Sequence, residues 1–183
     1  MRNKYSIPTT QYIVHEKPTY RFRVADFTPV ATATDVLELI GAANIVARVT
    51  KIEVIGSATA SALLDVYLTK RTALNTAGTK ASQAAVITKA RSDDPTAACT
   101  LNLYSANATS LGTGTALEGT HMYMPAAATP AFNDRVIWTW GSREDTPSTL
   151  LSATELLTIN LGGAAIPAGT SLYLSIEWTE DIN

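Results

Sequence analysis

The sequence predicts an all-β protein, a two-sheet antiparallel sandwich of the jelly-roll type that follows an extended N-terminal arm. Roughly eight or nine short segments alternate apolar and polar residues with the period of two that is typical of strands. Glycine-containing turns separate several of them, and no long amphipathic helix occurs, which disfavours a parallel α/β sheet. No period of about 20–50 residues recurs, which disfavours propellers and solenoids. Strands of about eight residues with long connections favour a jelly roll over an immunoglobulin-type domain.

Residues 1–18 are predicted to form the arm, because they are polar and mixed, contain prolines at positions 8 and 18 and show no sustained period. Strand alternation begins directly after them and divides the chain into the arm 1–18 and a sandwich domain 19–183. In this first strand the apolar side chains are predicted on one face and the arginines on the other: Tyr20, Phe22 and Val24 against Arg21 and Arg23.

The segment TDVLELIGAAN has two interpretations. Asp35 followed by Glu38 has the spacing of a helical capping box. The apolar run from Val36 to Ile40 is short, however, and ends at Gly41. Its length therefore favours a strand over a helix.

The domain continues with strands and one long excursion. Residues 72–97 are rich in Thr, Ala and Ser. If they contain a strand, it is predicted at the short apolar patch 84–88. Loops of this length tend to be functional or to be ordered by a partner. In the strand before this excursion, alternate residues are predicted to face the core and the outside: Leu64, Val66 and Leu68 inward, and Asp65, Tyr67 and Thr69 outward. Other strands are predicted over 45–56, 99–105, 118–124, 135–140, 155–161 and 171–179.

The composition bounds the class of protein. The 183 residues suit one domain with a sizeable core, and charged residues make up 16%, well below the usual figure of about 25%. Ala and Thr take up the difference, which fits either a surface that partners cover or a small-residue β protein. A net charge of −2 with no long basic run predicts no binding to nucleic acid. No apolar run reaches about 18 residues, and the opening residues lack the apolar region of a signal peptide, so we expect synthesis in a cytoplasm and no membrane span.

The sequence contains no signature of an active site. The histidines, His15 and His121, lie in unrelated contexts and do not supply the converging ligands of a jelly-roll metalloenzyme. No nucleophile elbow, Walker A motif or dinucleotide-binding glycine pattern occurs. The acidic pairs are Asp93-Asp94, Glu144-Asp145 and Glu180-Asp181. They are adjacent residues in turns or near the last strand, and they do not resemble carboxylates that face each other across a cleft. The sequence predicts no enzyme, no metal and no cofactor, and the only cysteine, Cys99, is predicted to pack as a small hydrophobe.

The tryptophans raise the question of a ligand platform. In DRVIWTWG, Trp138 and Trp140 share one strand face with Val136, and no Asn, Asp or Gln lies between them. A sugar-binding platform pairs an exposed aromatic with polar groups that read hydroxyls. The third tryptophan, Trp178, shares its face with apolar residues: Leu172, Leu174 and Ile176. These apolar neighbours on the same strand faces predict that Trp138, Trp140 and Trp178 lie in the core or in a subunit interface.

Four segments together resemble a group of tailed-bacteriophage virion proteins: FRVADFTPVATATDVLELIGAAN, RVTKIEVIG, PAAATPAFNDRVIWTWG and LSIEWTED. The similarity runs over most of residues 20–181 and is one of strand texture and small residues, with no catalytic motif to carry over. It implies a jelly-roll domain carried on a phage particle, similar to the capsid decoration (cement) proteins, which often form trimers.

The expected function is that of a non-enzymatic virion structural protein, made in the host cytoplasm and located on the head surface. Its expected partner is the major capsid protein or another virion protein, whose assembled shell it would stabilise. The alternative is a receptor- or glycan-binding jelly-roll module on a tail or head fibre. An enzyme such as a sandwich glycosidase is the third possibility, and the missing acid pair and histidine cluster argue against it.

Two further expectations concern assembly. Strand faces outside the presumed core carry few Lys or Glu, and closed homo-oligomers cover such surfaces, so the chain is predicted to form a homotrimer. The arm has too little periodicity to fold alone, and segments of this kind commonly order along a partner. Its apolar residues are the predicted partner contacts: Tyr5, Ile7, Tyr12, Ile13 and Val14.

Overall fold

The computed structural model describes residues 17–127, 134–140 and 148–182. These residues form two antiparallel sheets that pack against each other, which confirms the predicted β-sandwich. The arm up to residue 16 lies outside the described residues, and with it lie the predicted partner contacts Tyr5, Ile7, Tyr12, Ile13 and Val14.

Twelve strands and one short 3-10 helix, Ala84–Val86, make up the regular structure of the described residues. The strands are β1 (Thr19–Phe27), β2 (Asp35–Ile40), β3 (Ile45–Ser57), β4 (Ala62–Arg71), β5 (Thr79–Ser82), β6 (Thr88–Lys89), β7 (Thr100–Ala106), β8 (Gly114–Met124), β9 (Arg135–Thr139), β10 (Thr149–Leu150), β11 (Leu156–Asn160) and β12 (Ser171–Ile182).

The strand order defines which edges are open. The first sheet has the order β10-β3-β12-β1-β6, and β9 lies along the same edge of β3 as β10. Its centre is β12, which pairs with β3 along its whole length and with β1 on its other side. The second sheet has the order β5-β7-β2-β11-β4-β8, so that β8 forms one of its outer strands.

One hydrophobic core lies between the sheets, and the alternation read from the sequence describes it correctly in β1 and β4. Tyr20 and Phe22 of β1 are buried, as predicted. Cys99 packs in the same core, also as predicted. The inward residues of β4, which are Leu64, Val66 and Leu68, are buried, and their outward neighbours Asp65 and Tyr67 are half-buried. Thr69 is the exception, because it was predicted to face outward and is buried.

The segment 35–40 is a strand, as its length indicated, and the excursion after β4 differs from the prediction. The patch 84–88 was predicted as a strand, which is wrong for most of its length: 84–86 is the 3-10 helix, and only Thr88 and Lys89 pair, with the edge of β1. The longer of the two strands in the excursion, β5, is exposed at all of its positions. Because it buries nothing, its sequence TKAS carries no apolar period to predict it.

Two connections lie against the outer face of the second sheet, the one after β4 and the one before β8. They bond to each other, since the Thr76 N–H donates to the carbonyl of Ser110 and the Gly112 N–H donates to Oδ1 of Asn75. Asn75 in turn donates to two carboxylates of β2. This arrangement buries charged side chains on a sheet face that would otherwise meet solvent.

Candidate functional site

Trp178 lies in the core. It is fully buried in β12, and its ring centroid is 5.6 Å from that of Tyr20 in the neighbouring strand. Its indole Nε1 donates to Oε1 of Glu180 at 2.9 Å. Trp178 is therefore a structural residue and offers no surface to a ligand.

Trp138 and Trp140 lie at the edge of the first sheet. Trp138 is the register partner of Ile52 in β3, and the Trp140 N–H donates to the carbonyl of Thr50. Both side chains are half-buried and pack against the core, beside the buried Val136. The indoles thus contribute to the core and still expose part of their surface. Their role in a subunit interface stays a prediction.

The structure also brings together charged residues that the sequence did not indicate. Asp35, which begins β2, is buried and accepts four hydrogen bonds. Arg71 binds it at two points, from Nε to Oδ2 and from Nη2 to Oδ1, both at 2.8 Å. Asn75 donates to Oδ2 at 2.7 Å, and Asn160 donates to Oδ1 at 2.6 Å. Each carboxylate oxygen therefore has two donors.

Glu38, on the same outer face of the second sheet, is fully buried, and each of its carboxylate oxygens also has two donors. Its Oε1 accepts from Lys80 at 2.6 Å and from Asn102 at 2.9 Å. Its Oε2 accepts from the hydroxyl of Tyr104 at 2.7 Å and, at 3.4 Å, from Asn75. Burial and the bond to Glu38 raise the pKa of Tyr104, so this phenol stays protonated as the donor.

The carboxylates of Asp35 and Glu38 therefore hold the connection after β4 against the sheet. A general acid or base has to reach a substrate proton directly or through one water. Here the lone pairs are occupied by protein donors, so the geometry is that of a structural tie. The acidic pairs visible in the sequence are adjacent residues, and neither Asp35 nor Glu38 belongs to one. The partners of Asp35 lie 36–125 residues away along the chain, and no local signal points to them.

Glu180 joins the two sheets near the start of β7. Its Oε2 accepts from the Ala98 N–H at 2.8 Å, and its Oε1 accepts from the Cys99 N–H at 3.0 Å in addition to the indole of Trp178. Burial and the nearby Glu180 raise the pKa of the Cys99 thiol well above its usual value. The thiol therefore stays protonated, which agrees with its prediction as a small hydrophobe and not as a nucleophile.

The exposed side of the second sheet carries the candidate surface for contact with other molecules. We call the outward-facing residues of β4 and β8 the β4–β8 face; they are Leu63, Asp65, Tyr67, Gly119, His121 and Tyr123. At one end, Leu63 and Tyr123 are register partners and are 64% and 41% exposed. Large apolar side chains that expose this much area next to each other are typical of interaction surfaces.

The middle of the β4–β8 face is a contact between a carboxylate and an imidazole. Asp65 and His121 are register partners, and His121 Nδ1 lies 2.6 Å from Oδ1 of Asp65. The His121 side chain is 70% exposed, which places it on the surface. Because Nδ1 is engaged, Nε2 on the other side of the imidazole is directed away from the carboxylate.

The other end of the β4–β8 face is an aromatic ring set between two glycines. Tyr67 is opposite Gly119 in the register, and a Cβ at Gly119 would lie 2.7 Å from Cδ1 of the ring. A Cβ at Gly162 would lie 3.3 Å from Cε2, on the opposite edge. The absence of side chains at both positions makes room for the tyrosine. A shallow groove lies here, lined by Tyr67, Gly119, Thr120 and His121.

Within residues 17–127, 134–140 and 148–182, no three or more His, Cys, Asp or Glu residues are grouped as metal ligands would be. The same residues contain no helix with the length and apolar character to cross a bilayer. Comparison of the chain with protein-family models, with curated proteins and with solved structures finds no match.

Proposed function

We propose that this chain is a non-enzymatic bacteriophage virion protein that attaches to the assembled head shell and stabilises it, as capsid decoration proteins do. The resemblance of the segments in 20–181 to virion proteins supports this proposal, and so does the β-sandwich fold. The buried carboxylates Asp35, Glu38 and Glu180 add support, because each is engaged in holding the fold together.

The observation that carries the proposal is the outer strand β8. It is 11 residues long and pairs with β4 on one side, whereas the other outer strands of the described sheets, β5, β6, β9 and β10, have between two and five residues. Its only charged residues are Glu118 and, when protonated, His121. A long outer strand with so little charge is a site for pairing with another chain.

The apolar end of the β4–β8 face adjoins this edge and suggests how a partner would be held. A partner strand beside β8 would displace the 3.3 Å bond from the Tyr123 N–H to Oδ2 of Asp134, and it would cover Tyr123 and approach Leu63. Burial of this apolar area favours association. The backbone hydrogen bonds of the added strand would set its register.

The test is a binding experiment with phage particles that lack this protein. The purified chain should co-sediment with such particles, and electron microscopy should show regular added density over the head. Leu63→Lys combined with Tyr123→Lys should abolish attachment, because charged side chains at the edge oppose pairing. Leu151→Lys is the matched control, since Leu151 is also an exposed leucine (54%) but lies outside the β4–β8 face.

Oligomeric state and the arm are tested on the same material. We expect light scattering to give a homotrimer, and we expect deletion of residues 1–16 to leave the trimer folded and to weaken attachment to the shell. This deletion keeps the contact between Lys17 Nζ and Oδ2 of Asp181, so the start of β1 stays anchored. A monomer would contradict the trimer, and unchanged attachment after the deletion would contradict the role of the arm. Density at the tail instead of the head would favour the alternative of a receptor- or glycan-binding module.

A further inference from the structure

We propose that the Tyr67 end of the β4–β8 face is a binding subsite for a neutral saccharide. This inference goes beyond attachment to a shell and does not depend on it. It follows from the requirement stated for the tryptophans, an exposed aromatic beside polar groups that read hydroxyls. Tyr67 is half-buried, as Trp138 and Trp140 are, but it differs from them in lying beside a shallow groove and in sharing its strand face with Asp65 and His121.

The aromatic component is held in a fixed place. The ring of Tyr67 lies between Gly119 and Gly162, whose missing Cβ atoms leave the space that its two edges occupy. A tyrosine over a glycine also supports a sheet edge. That role is compatible with binding, because it fixes the ring before a ligand arrives and so lowers the entropy lost on binding. The shallow groove beside the ring gives a ligand access to it.

The polar component lies one register position along the same face. Asp65 lies two residues before Tyr67 in β4, and His121 lies two residues after Gly119 in β8. Their side chains therefore project on the same side of the sheet as the ring. The contact between Oδ1 of Asp65 and Nδ1 of His121 orients both groups. The second carboxylate oxygen of Asp65 and Nε2 of His121 lie on the sides that face away from this contact. Together these groups supply acceptors and donors for sugar hydroxyls.

The charge of the site selects the class of sugar. Asp65 is the charged residue beside the groove at neutral pH, and the lining residues themselves are uncharged when His121 is neutral. A carboxylate next to the ligand repels sialic and uronic acids and accepts hydrogen bonds from neutral hydroxyls. The apolar face of a pyranose would lie against the ring of Tyr67, with its hydroxyls directed to Asp65 and His121. Because the groove is shallow, a single sugar is expected to bind weakly.

The experiment is saturation-transfer NMR on the purified full chain, without particles. The probes are the methyl glycosides of glucose, galactose, mannose and N-acetylglucosamine, with glucuronic acid and N-acetylneuraminic acid as acidic comparators. We expect transfer to at least one neutral sugar and to neither acid. Tyr67→Ala should weaken binding by about tenfold or more, while Tyr67→Phe, which keeps the ring, should retain most of it.

Asp65→Asn provides an independent variant, since it leaves Tyr67 and the glycines in place and removes only the charge; it should weaken binding of the neutral sugar several-fold. Tyr173→Ala is the control, because Tyr173 is a half-buried tyrosine on the outer face of the other sheet. Thermal melting of each variant verifies the fold. The proposal is overturned if no neutral sugar receives saturation from the wild-type chain, or if transfer survives unchanged in both Tyr67→Ala and Asp65→Asn.

Discussion

Arg71 and Asp35 form a two-point ion pair inside the protein, with both nitrogen–oxygen distances at 2.8 Å and both side chains buried. The pair joins the end of β4 to the start of β2, and the third nitrogen of the guanidinium, Nη1, donates to the carbonyl of Gly112. Arg71 therefore connects β2, β4 and the connection that precedes β8.

The first prediction concerns this pair. Arg71→Ala should lower the free energy of unfolding by about 3–5 kcal/mol, because it leaves the Asp35 carboxylate buried without its counter-charge. Arg71→Lys should recover part of the loss, since lysine keeps the charge but cannot make the two-point contact. Urea denaturation measures both. The control is Arg91→Ala in the exposed pair with Asp93, which should have a much smaller effect because water screens the two charges. Equal losses at the two sites would contradict the structural role of Arg71.

The second prediction concerns Glu180. Glu180→Ala removes the acceptor of three donors, two of them backbone N–H groups at the start of β7, and should cost at least about 2 kcal/mol. It should also increase hydrogen exchange at Ala98 and Cys99, measured by NMR. Glu118→Ala is the control, because Glu118 is a glutamate that is exposed in β8. Unchanged exchange at both amides in Glu180→Ala would show that the carboxylate does not hold them.

The third prediction is a loss of stability at alkaline pH. Burial, followed by the nearby Glu180, raises the pKa of Tyr20 from 10.0 to about 12. Below pH 10 this phenol is protonated in both the folded and the unfolded chain, so its contribution to stability is fully present. Between pH 10 and 12 the unfolded chain loses the proton first, and the free energy of unfolding should therefore fall.

Melting temperatures between pH 8 and 12 measure this decline. Tyr20→Phe should be less stable at pH 8, because it loses the bond from the hydroxyl to the carbonyl of Pro95, but its melting temperature should fall less steeply above pH 10. If the slope for Tyr20→Phe matches that of the wild type, the alkaline transition has another origin.

The fourth prediction separates the tryptophans. Trp178→Ala should cost about 3–5 kcal/mol, as truncation of a fully buried aromatic does. Trp138→Ala should cost roughly half as much, since the indole is half-buried at the sheet edge and loses fewer contacts. Denaturation at low protein concentration, followed by light scattering, distinguishes the core from an interface. If Trp138→Ala dissociates the oligomer while leaving the unfolding of the subunit unchanged, the indole belongs to a subunit contact.

Alternation along single strands was sufficient to predict much of the fold. The burial of Tyr20 and Phe22 in β1 depends on a period of two that local sequence displays. Contacts between segments that are far apart in the sequence could not be predicted from it. Nothing near Asp35 indicates that Arg71 will neutralise it, and Tyr67 and Gly119 come together only because β4 and β8 pair in one particular register. A register shift by one residue would have placed the tyrosine beside a different residue.

The position of β12 has a consequence for biosynthesis. This strand lies between β3 and β1, yet it is the last described strand that the ribosome produces. The chain from β1 to β12 takes roughly 7–30 s to translate at about 5–20 residues per second. During that time β1 and β3 lack the strand that joins them. The first sheet is therefore expected to close only after residue 171 has left the ribosomal tunnel, and the nascent chain exposes apolar strand faces to chaperones until then.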